Sequence, residues 1–352
     1  MKIPSTINGR MISSKVNSKN IAVFFALALS VLTNQGCQKT ETTTPTVTNY
    51  QIVNLVSDTS GYGATIIDNN LSNAWGIAIG PTGSMWISSN RKGSTTIYDR
   101  NGLTLLAPVA VPSLGMHDGG SPTGVVYNST TSFMIPGTIE KSKFIYAGEH
   151  GTIHSWASGD STHTMVDRSA LGAIYKGIAI ATDGTVNYLY VANFKGNNID
   201  VFDQNFNFVE KPFDDPSIPT GFAPFNVQNI GGNLYVTYAK LKTPDNEDDE
   251  SGAGNGYVNV FTPAGILIKR FASQGTLNSP WGITQAPIGF GQISNAILIG
   301  NFGDGRINVY DANGVYQGQL KDGETPISIE GLWAITFPQN GQPAGDQNQL
   351  FF

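Results

Sequence analysis

From about residue 50 onward, short apolar runs recur along the chain, each bounded by Gly, Asn, Asp or Pro. In several of them apolar and polar residues alternate, as in Ile199-Asp200-Val201-Phe202 and Val258-Asn259-Val260-Phe261. A period of two predicts β-strands with one wetter face. The runs also repeat as a larger unit. Its first strand is opened by an aromatic residue or Pro and carries a Gly. A second strand, rich in β-branched and aromatic residues, follows a polar turn, and a third follows a Gly/Asn turn. Six such units can be read, with first strands centred on Trp75-Gly76-Ile77, Thr123-Gly124-Val125, Lys176-Gly177-Ile178, Phe225-Asn226-Val227, Trp281-Gly282-Ile283 and Trp333-Ala334-Ile335.

The second strands are predicted at Met85 to Ser88, Phe144 to Ala147, Leu189 to Ala192, Leu234 to Thr237, Ile297 to Gly300 and Leu350 to Phe352. Third strands are predicted at Thr96 to Asp99, Thr152 to Trp156, Ile199 to Asp203, Tyr257 to Thr262 and Arg306 to Asp311. Turns such as Gly303-Asp304-Gly305 and Lys195-Gly196-Asn197-Asn198 join second to third strands as hairpins. A unit of roughly fifty residues with four short strands fits a propeller blade better than a solenoid repeat or a sandwich. The expectation is an all-β, six-bladed β-propeller over residues 50–352. The last blade is expected to be incomplete, with three strands or fewer, because little chain follows Trp333-Ala334-Ile335. An N-terminal strand, Tyr50 to Val56, is expected to close it, and to be less well held than the other strands as an edge.

Composition agrees with this architecture. Charged residues are 13% of the chain against a usual share of about 25%, and there are 41 glycines, as expected of turn-rich β-structure. Residues 1–36 hold Lys2, Arg10, Lys15 and Lys19, no acids, and the apolar run Ile21 to Leu32, which is too short for an ordinary membrane span. A basic stretch before such a run predicts a signal peptide and export. The single cysteine, Cys37, follows Gly36 as in a lipobox, although Asn34 stands where a branched apolar residue is usual. Cys37 is therefore the expected lipid attachment point, holding an exported protein at the cell envelope, periplasmic or on the cell surface. Residues 37–49 are Thr-rich and predict a tether that buries no core. Removing the four leading cations takes the net charge from -6 to -10, and no basic cluster follows, which argues against nucleic acid as a partner.

The units resemble NHL and SMP-30-like propellers. Closer still is the resemblance to a bacterial exported family of unknown function, some of whose members carry a C-terminal sorting signal. It is carried by NLVSD (54–58), LSNAWGIA (71–78), APFNVQNIGGNLYVTYAK (223–240), GAGNGYVNVF (252–261), LNSPWGI (277–283) and GNFGDGRINVYDANG (300–314), and runs from about residue 50 to the C-terminus. The resemblance implies the fold and supplies no activity.

The motifs G-x-S-x-G, H-E-x-x-H, P-loop and C-x-x-C do not occur in the chain. The glycine clusters at 252–256 and 303–305 precede strands and read as turns rather than phosphate cradles. His150 and His154 lie four apart across a hairpin turn rather than along a helix, so a metal site on them with Glu149 and Asp118 is the less favoured reading, and His117-Asp118 reads as loop. The run Asp245-Asn246-Glu247-Asp248-Asp249-Glu250 is read chiefly as a solvated charge run, calcium being the alternative.

The most informative pattern is positional. Residues opening the first strands are aromatic in four units of six, among them Trp75, Trp281 and Trp333, and the second strands close in Asn90, Glu149, Asn193 and Asn301. In a propeller such equivalent positions form rings around one axial mouth. These seven residues are the candidate ligand site, suited to a small polar ligand, with wedge-filling aromatics and turn-anchoring amides as the structural alternative. Wedge-filling is favoured because every blade faces the same packing problem. The leading expectation is an envelope-anchored binding or interaction propeller, with a small polar molecule or a protein as partner and no cofactor. The alternative is a metal-dependent hydrolase or lactonase of the SMP-30 type. It would hold calcium or another divalent cation on Glu149, Asn193 and Asn301.

Overall fold

The computed structural model describes residues 9–14 (backbone only), 49–114, 119–338, 345–346 and 348–352. The protein is an all-β propeller. Five four-stranded antiparallel sheets are each built from consecutive strands, and these are its blades. The first contains Ala74–Ile79, Met85–Ser89, Ser94–Tyr98 and Thr104–Ala110, and the second Pro122–Tyr127, Phe144–Gly148, Thr152–Trp156 and His163–Asp167. The third contains Tyr175–Asp183, Val186–Asn193, Asn198–Phe202 and Phe208–Val209. The fourth comprises Phe222–Ile230, Asn233–Lys240, Gly256–Phe261 and Leu267–Ser273, and the fifth Pro280–Gln285, Ile297–Asn301, Ile307–Tyr310 and Tyr316–Gln319.

Several middle strands, such as Met85–Ser89, Phe144–Gly148 and Ile297–Asn301, are buried along their whole length because neighbouring blades cover both faces. That is why they read as continuous apolar runs. The outer strands differ: Thr104–Ala110 is exposed over its first four residues, and Phe208–Val209 is only two residues long. The third strands of the five blades carry a buried polar residue at matching positions: Thr96, His154, Asp200, Asn259 and Asn308. These side chains tie down chain beyond their own strand. Tyr175 donates to Asp200 at 2.6 Å, Asn259 donates to Asp215 at 2.9 Å, and Asn308 donates to the Thr276 carbonyl at 3.3 Å. The first bond fixes the start of the third blade and the other two pin the connections into the fourth and fifth blades, and a buried polar group engaged in this way is stable where an orphaned one is costly.

A sixth four-stranded sheet joins both ends of the chain in the order Gln349–Phe351, Gly9–Ser14, Tyr50–Ser57, Ile66–Ile67. Tyr50 to Val56 falls in this sheet, as the sequence predicts, but the number of strands differs. The sheet has four, because Gly9–Ser14 pairs antiparallel with Tyr50–Ser57 on one side and with Gln349–Phe351 on the other. The expected loose edge of Tyr50–Ser57 is therefore covered, by a segment that the sequence places in a leader outside the propeller. Trp333-Ala334-Ile335 forms no regular strand. Its continuation, Thr336, makes a single bridge to Phe351. Cys37 and the run Ile21 to Leu32 lie outside the described residues. Among the described residues no helix is long and apolar enough to cross a membrane.

The apolar clusters lie between adjacent sheets and follow one another around the molecule. Trp86, Phe144 and Trp156 join the first blade to the second, Tyr190, Val236 and Phe261 the third to the fourth, and Val258, Ile283 and Ile299 the fourth to the fifth. Tyr50, Leu298 and Leu350 join the fifth blade to the mixed sheet, which meets the first blade through Phe351, Met85 and Ile79. Near the axis the innermost segments approach closely enough to demand glycine. A Cβ on Gly76 would sit 2.6 Å from the Thr123 carbonyl oxygen, and one on Gly124 would sit 2.9 Å from the Ile178 nitrogen. Gly177 faces Asn226, and Gly282 faces the backbone of Trp333 and Ile335. Where the glycine is replaced, a hydrogen bond spans the gap: Asn226 donates to the Trp281 carbonyl at 2.8 Å, and the Ala334 N–H donates to the Trp75 carbonyl at 3.2 Å. Only a narrow axial space of about 40 Å³ remains between these segments.

Candidate functional site

The aromatic residues that open the first strands converge. Trp75 stacks on Trp333 with ring centroids 3.5 Å apart, Trp333 stacks on Phe302 at 4.0 Å, and Trp281 meets Trp333 edge-on at 5.6 Å. Phe225 and Phe194 extend the cluster. The two faces of Trp333 are thus spent on neighbours, and the Lys176 ammonium lies 5.0 Å from the Trp75 ring centroid. The tryptophans form a plug beneath the axial mouth, as wedge-filling aromatics do. Trp75, Trp281 and Trp333 have buried indole N–H groups without a hydrogen-bond partner.

Above the plug opens a cavity of about 490 Å³. The first unit contributes Asn73, Trp75, Asn90 and Arg91, the second Glu149 and the third Lys176. The fourth contributes Lys242, Asp248, Asp249 and Ser251, the fifth Phe302 and Gly303, and the last Glu330, Gly331 and Trp333. Each unit contributes because strand starts and second-strand ends meet on this one face of the ring.

Lys176 is the buried cation of the wall, with its side chain 3% exposed. It takes the strand-opening position held by tryptophan in other units, and its Nζ donates to Glu149 Oε1 at 2.8 Å. Asn90 donates to Glu149 Oε2 at 3.0 Å, and Asn73 donates to Asn90 Oδ1 at 3.0 Å. Burial pushes the Glu149 carboxyl up, but the charge and hydrogen bond of Lys176, the Asn90 amide and nearby His150 outweigh it and hold the group below the usual carboxylate range. Asp249 is the opposite case. Burial pushes it up, and hydrogen bonding, chiefly from serine hydroxyls, with the more distant charge of Lys176, does not offset this, so it sits above the usual range.

Of the seven residues expected to form the site, Trp75, Asn90, Glu149 and Trp333 line the cavity. Trp281 lies in the plug and borders the axial space below. Asn193 accepts hydrogen bonds from the backbone N–H groups of Ile174 at 3.2 Å and Gly196 at 3.1 Å, and Asn301 donates to the Thr276 carbonyl at 2.8 Å. Their amides serve the turns that they close. Glu149, Asn193 and Asn301 are not brought to one point, and among the described residues no group of three or more His, Cys, Asp or Glu is placed to hold a metal.

His150 is exposed in the turn. His154 is 1% exposed inside the second blade, bonded to Thr152 at 2.9 Å and Thr164 at 3.2 Å, and its burial holds it down at about 4. His117 and Asp118 lie outside the described residues. The acidic run is only partly a solvated one: Glu247 pairs with Lys195 and Glu250 with Lys240, each at 2.7 Å, while Asp248 and Asp249 face the cavity. Sequence reasoning passed over Lys176, Phe302 and Arg91 as site residues and read Asp249 only within the acidic run, with calcium as the alternative. Position in the repeat was the signal available for Lys176 and Phe302; Asp249 had none until its hairpin folded back over the mouth.

Among the described residues, the ring of blades, its plugged axis and the polar mouth above the plug define a propeller with a candidate axial site. No family model matches the chain. Among curated proteins it is 36% identical over 320 residues to Uncharacterized protein R648 of Acanthamoeba polyphaga mimivirus, covering 87% of this chain and 77% of that one. It is 38% identical over 282 residues to Uncharacterized protein L690 of the same virus, covering 75% and 73%. The chain belongs to the family of these proteins. The relatives found are viral, where the phrases of the sequence suggested a bacterial family. Among solved structures it is similar to a structural genomics protein of unknown function from Bacteroides thetaiotaomicron, with a TM-score of 0.50, 12% identity and coverage of 79% and 68%. It is also similar to virginiamycin B lyase from Staphylococcus aureus, with a TM-score of 0.48, 12% identity and coverage of 76% and 75%. At such identities the likeness is one of fold.

Proposed function

We propose that the protein is a six-bladed binding propeller, with the mixed sheet as its closing blade, and that the axial mouth takes a small, polar, hydroxyl-rich ligand such as a saccharide. The observation that carries this reading is the cavity of about 490 Å³ above the tryptophan plug. Its walls are amides, carboxylates and ammonium groups from several units, and its floor is aromatic. Concave sites of this size with a few fixed polar groups are where small ligands bind. The half-buried ring of Phe302 supplies the apolar face that a sugar ring covers, since the tryptophan faces are occupied by one another.

Thermal-shift and calorimetric titration with a panel of neutral and charged oligosaccharides tests the proposal. At least one member should raise the melting temperature, and Phe302→Ala should weaken its binding at least tenfold. A panel without a binder, or a binder indifferent to Phe302→Ala, would contradict it.

The anchoring of this propeller at a cell envelope, through a leader removed before Cys37 and a lipid on that cysteine, is a further part of the proposal and is supported by sequence pattern alone; such cleavage would take Gly9–Ser14 out of the mixed sheet, so the closing blade of the mature protein would keep only Tyr50–Ser57, Ile66–Ile67 and Gln349–Phe351. Globomycin sensitivity and palmitate labelling should be lost in Cys37→Ser. Unchanged membrane partitioning of that variant would refute the anchor.

A further inference from the structure

Building on that reading, we infer that the ligand of the mouth carries an ammonium group on its hydroxylated frame, as an amino sugar does, and that Asp249 is the residue that receives it. Charge is shared unevenly across the cavity. Lys176 is the buried cation of the wall, and it is committed at 2.8 Å to Glu149. On the wall formed by the fourth unit, Asp249 accepts from the Ser251 hydroxyl at 3.1 Å and makes no ion pair with any described residue. Asp248 beside it and Glu330 on the last unit face the same space, also without an ion pair among the described residues. Two cations border the space as well. Lys242 lies on the exposed arm of the same hairpin, and Arg91 lies on the first unit, where its charge acts on the buried carboxyl of Asp58.

One buried ammonium thus serves two partly desolvated carboxylates and satisfies one of them. A carboxylate drawn out of water without a cation is costly, and a cation brought to it by a ligand removes that cost. The raised proton affinity of Asp249 is in keeping with this shortage. The floor of the cavity is aromatic, with Trp75, Phe302 and Trp333 lining it, so the half-buried ring of Phe302 suits the sugar frame and the fourth-unit wall suits the amine.

A matched set of trisaccharides separates this inference from the general binding reading: the trimer of glucosamine, its fully N-acetylated counterpart and the trimer of glucose, each titrated calorimetrically into the full chain. The glucosamine trimer should bind at least tenfold more tightly than the other two. Asp249→Asn should abolish that preference, while Asp249→Glu retains it, with melting temperatures showing that both variants fold. Equal binding of all three trimers would overturn the inference and leave the binding reading intact. A preference that survives in Asp249→Asn would overturn the assignment of Asp249. Failure of all three would overturn the inference, and the wider panel would then decide the binding reading separately.

Discussion

Lys176 occupies the first-strand position that carries tryptophan in three other units, and its ammonium replaces an indole in the ring around the mouth. Replacing it by methionine keeps the stem and removes the charge, which leaves Glu149 without its cation in a site where that carboxyl is 26% exposed. Breaking a fully buried pair costs about 3–5 kcal/mol. With part of Glu149 reaching water, Lys176→Met should cost about 2 kcal/mol by chemical denaturation, and adding Glu149→Gln should restore part of it. His154 supplies a pH-dependent counterpart. Its folded value of about 4 lies below the ordinary 6.5, so between these values the unfolded chain binds a proton that the folded chain refuses. Its contribution is present above pH 6.5 and is lost as pH falls toward 4, amounting to about 3 kcal/mol. Asn occupies the matching position in the fourth and fifth blades, so His154→Asn should fold and show a smaller loss of melting temperature between pH 6.5 and 4.5. An unchanged loss would mean that other groups control acid stability.

At the scale of elements, what the sequence discloses follows burial. Strands covered on both faces, such as Leu189 to Ala192 and Ile297 to Gly300, are visible as apolar runs and fall inside the observed strands Val186–Asn193 and Ile297–Asn301. Outer strands are not, because a half-exposed Thr104–Ala110 or a two-residue Phe208–Val209 has too little pattern to stand out. Gly9–Ser14 was hidden for another reason, since its basic flanks and the apolar run beyond it have the signature of a leader. The innermost segments were found through their glycines, whose cause is the backbone of the next segment. Gly282→Ala would press a methyl into the backbone of Trp333 and Ile335, so it should cost about 1–3 kcal/mol or more, whereas Gly252→Ala, which would meet only the end of the Asn255 side chain, should cost less. Equal melting temperatures for the two variants would contradict the close approach at the axis.

For the molecule as a whole, repetition made the ring legible and left the site half-read. Trp75, Asn90, Glu149 and Trp333 could be assigned to the mouth because equivalent positions of a propeller share one face. Asn193 and Asn301 obey the same positional rule, yet their amides are consumed by turns, a distinction that depends on hairpin shape. Arg91 takes the place that Phe194 and Phe302 hold in the turn after a second strand, a position whose residue type changes from unit to unit, and Asp249 stands on the long hairpin of the fourth unit. The central claim is that the ligand of this propeller sits above the tryptophan plug. Its most direct test is the set of five indole N–H resonances in a protein labelled with nitrogen-15 at tryptophan, recorded during titration with whichever sugar binds. Trp75 and Trp333 line the mouth, whereas Trp86 and Trp156 are packed between the first and second blades. Saturable shifts of the Trp75 and Trp333 resonances are expected while those of Trp86 and Trp156 stay fixed; shifts confined to Trp86 and Trp156 would contradict a ligand above the plug.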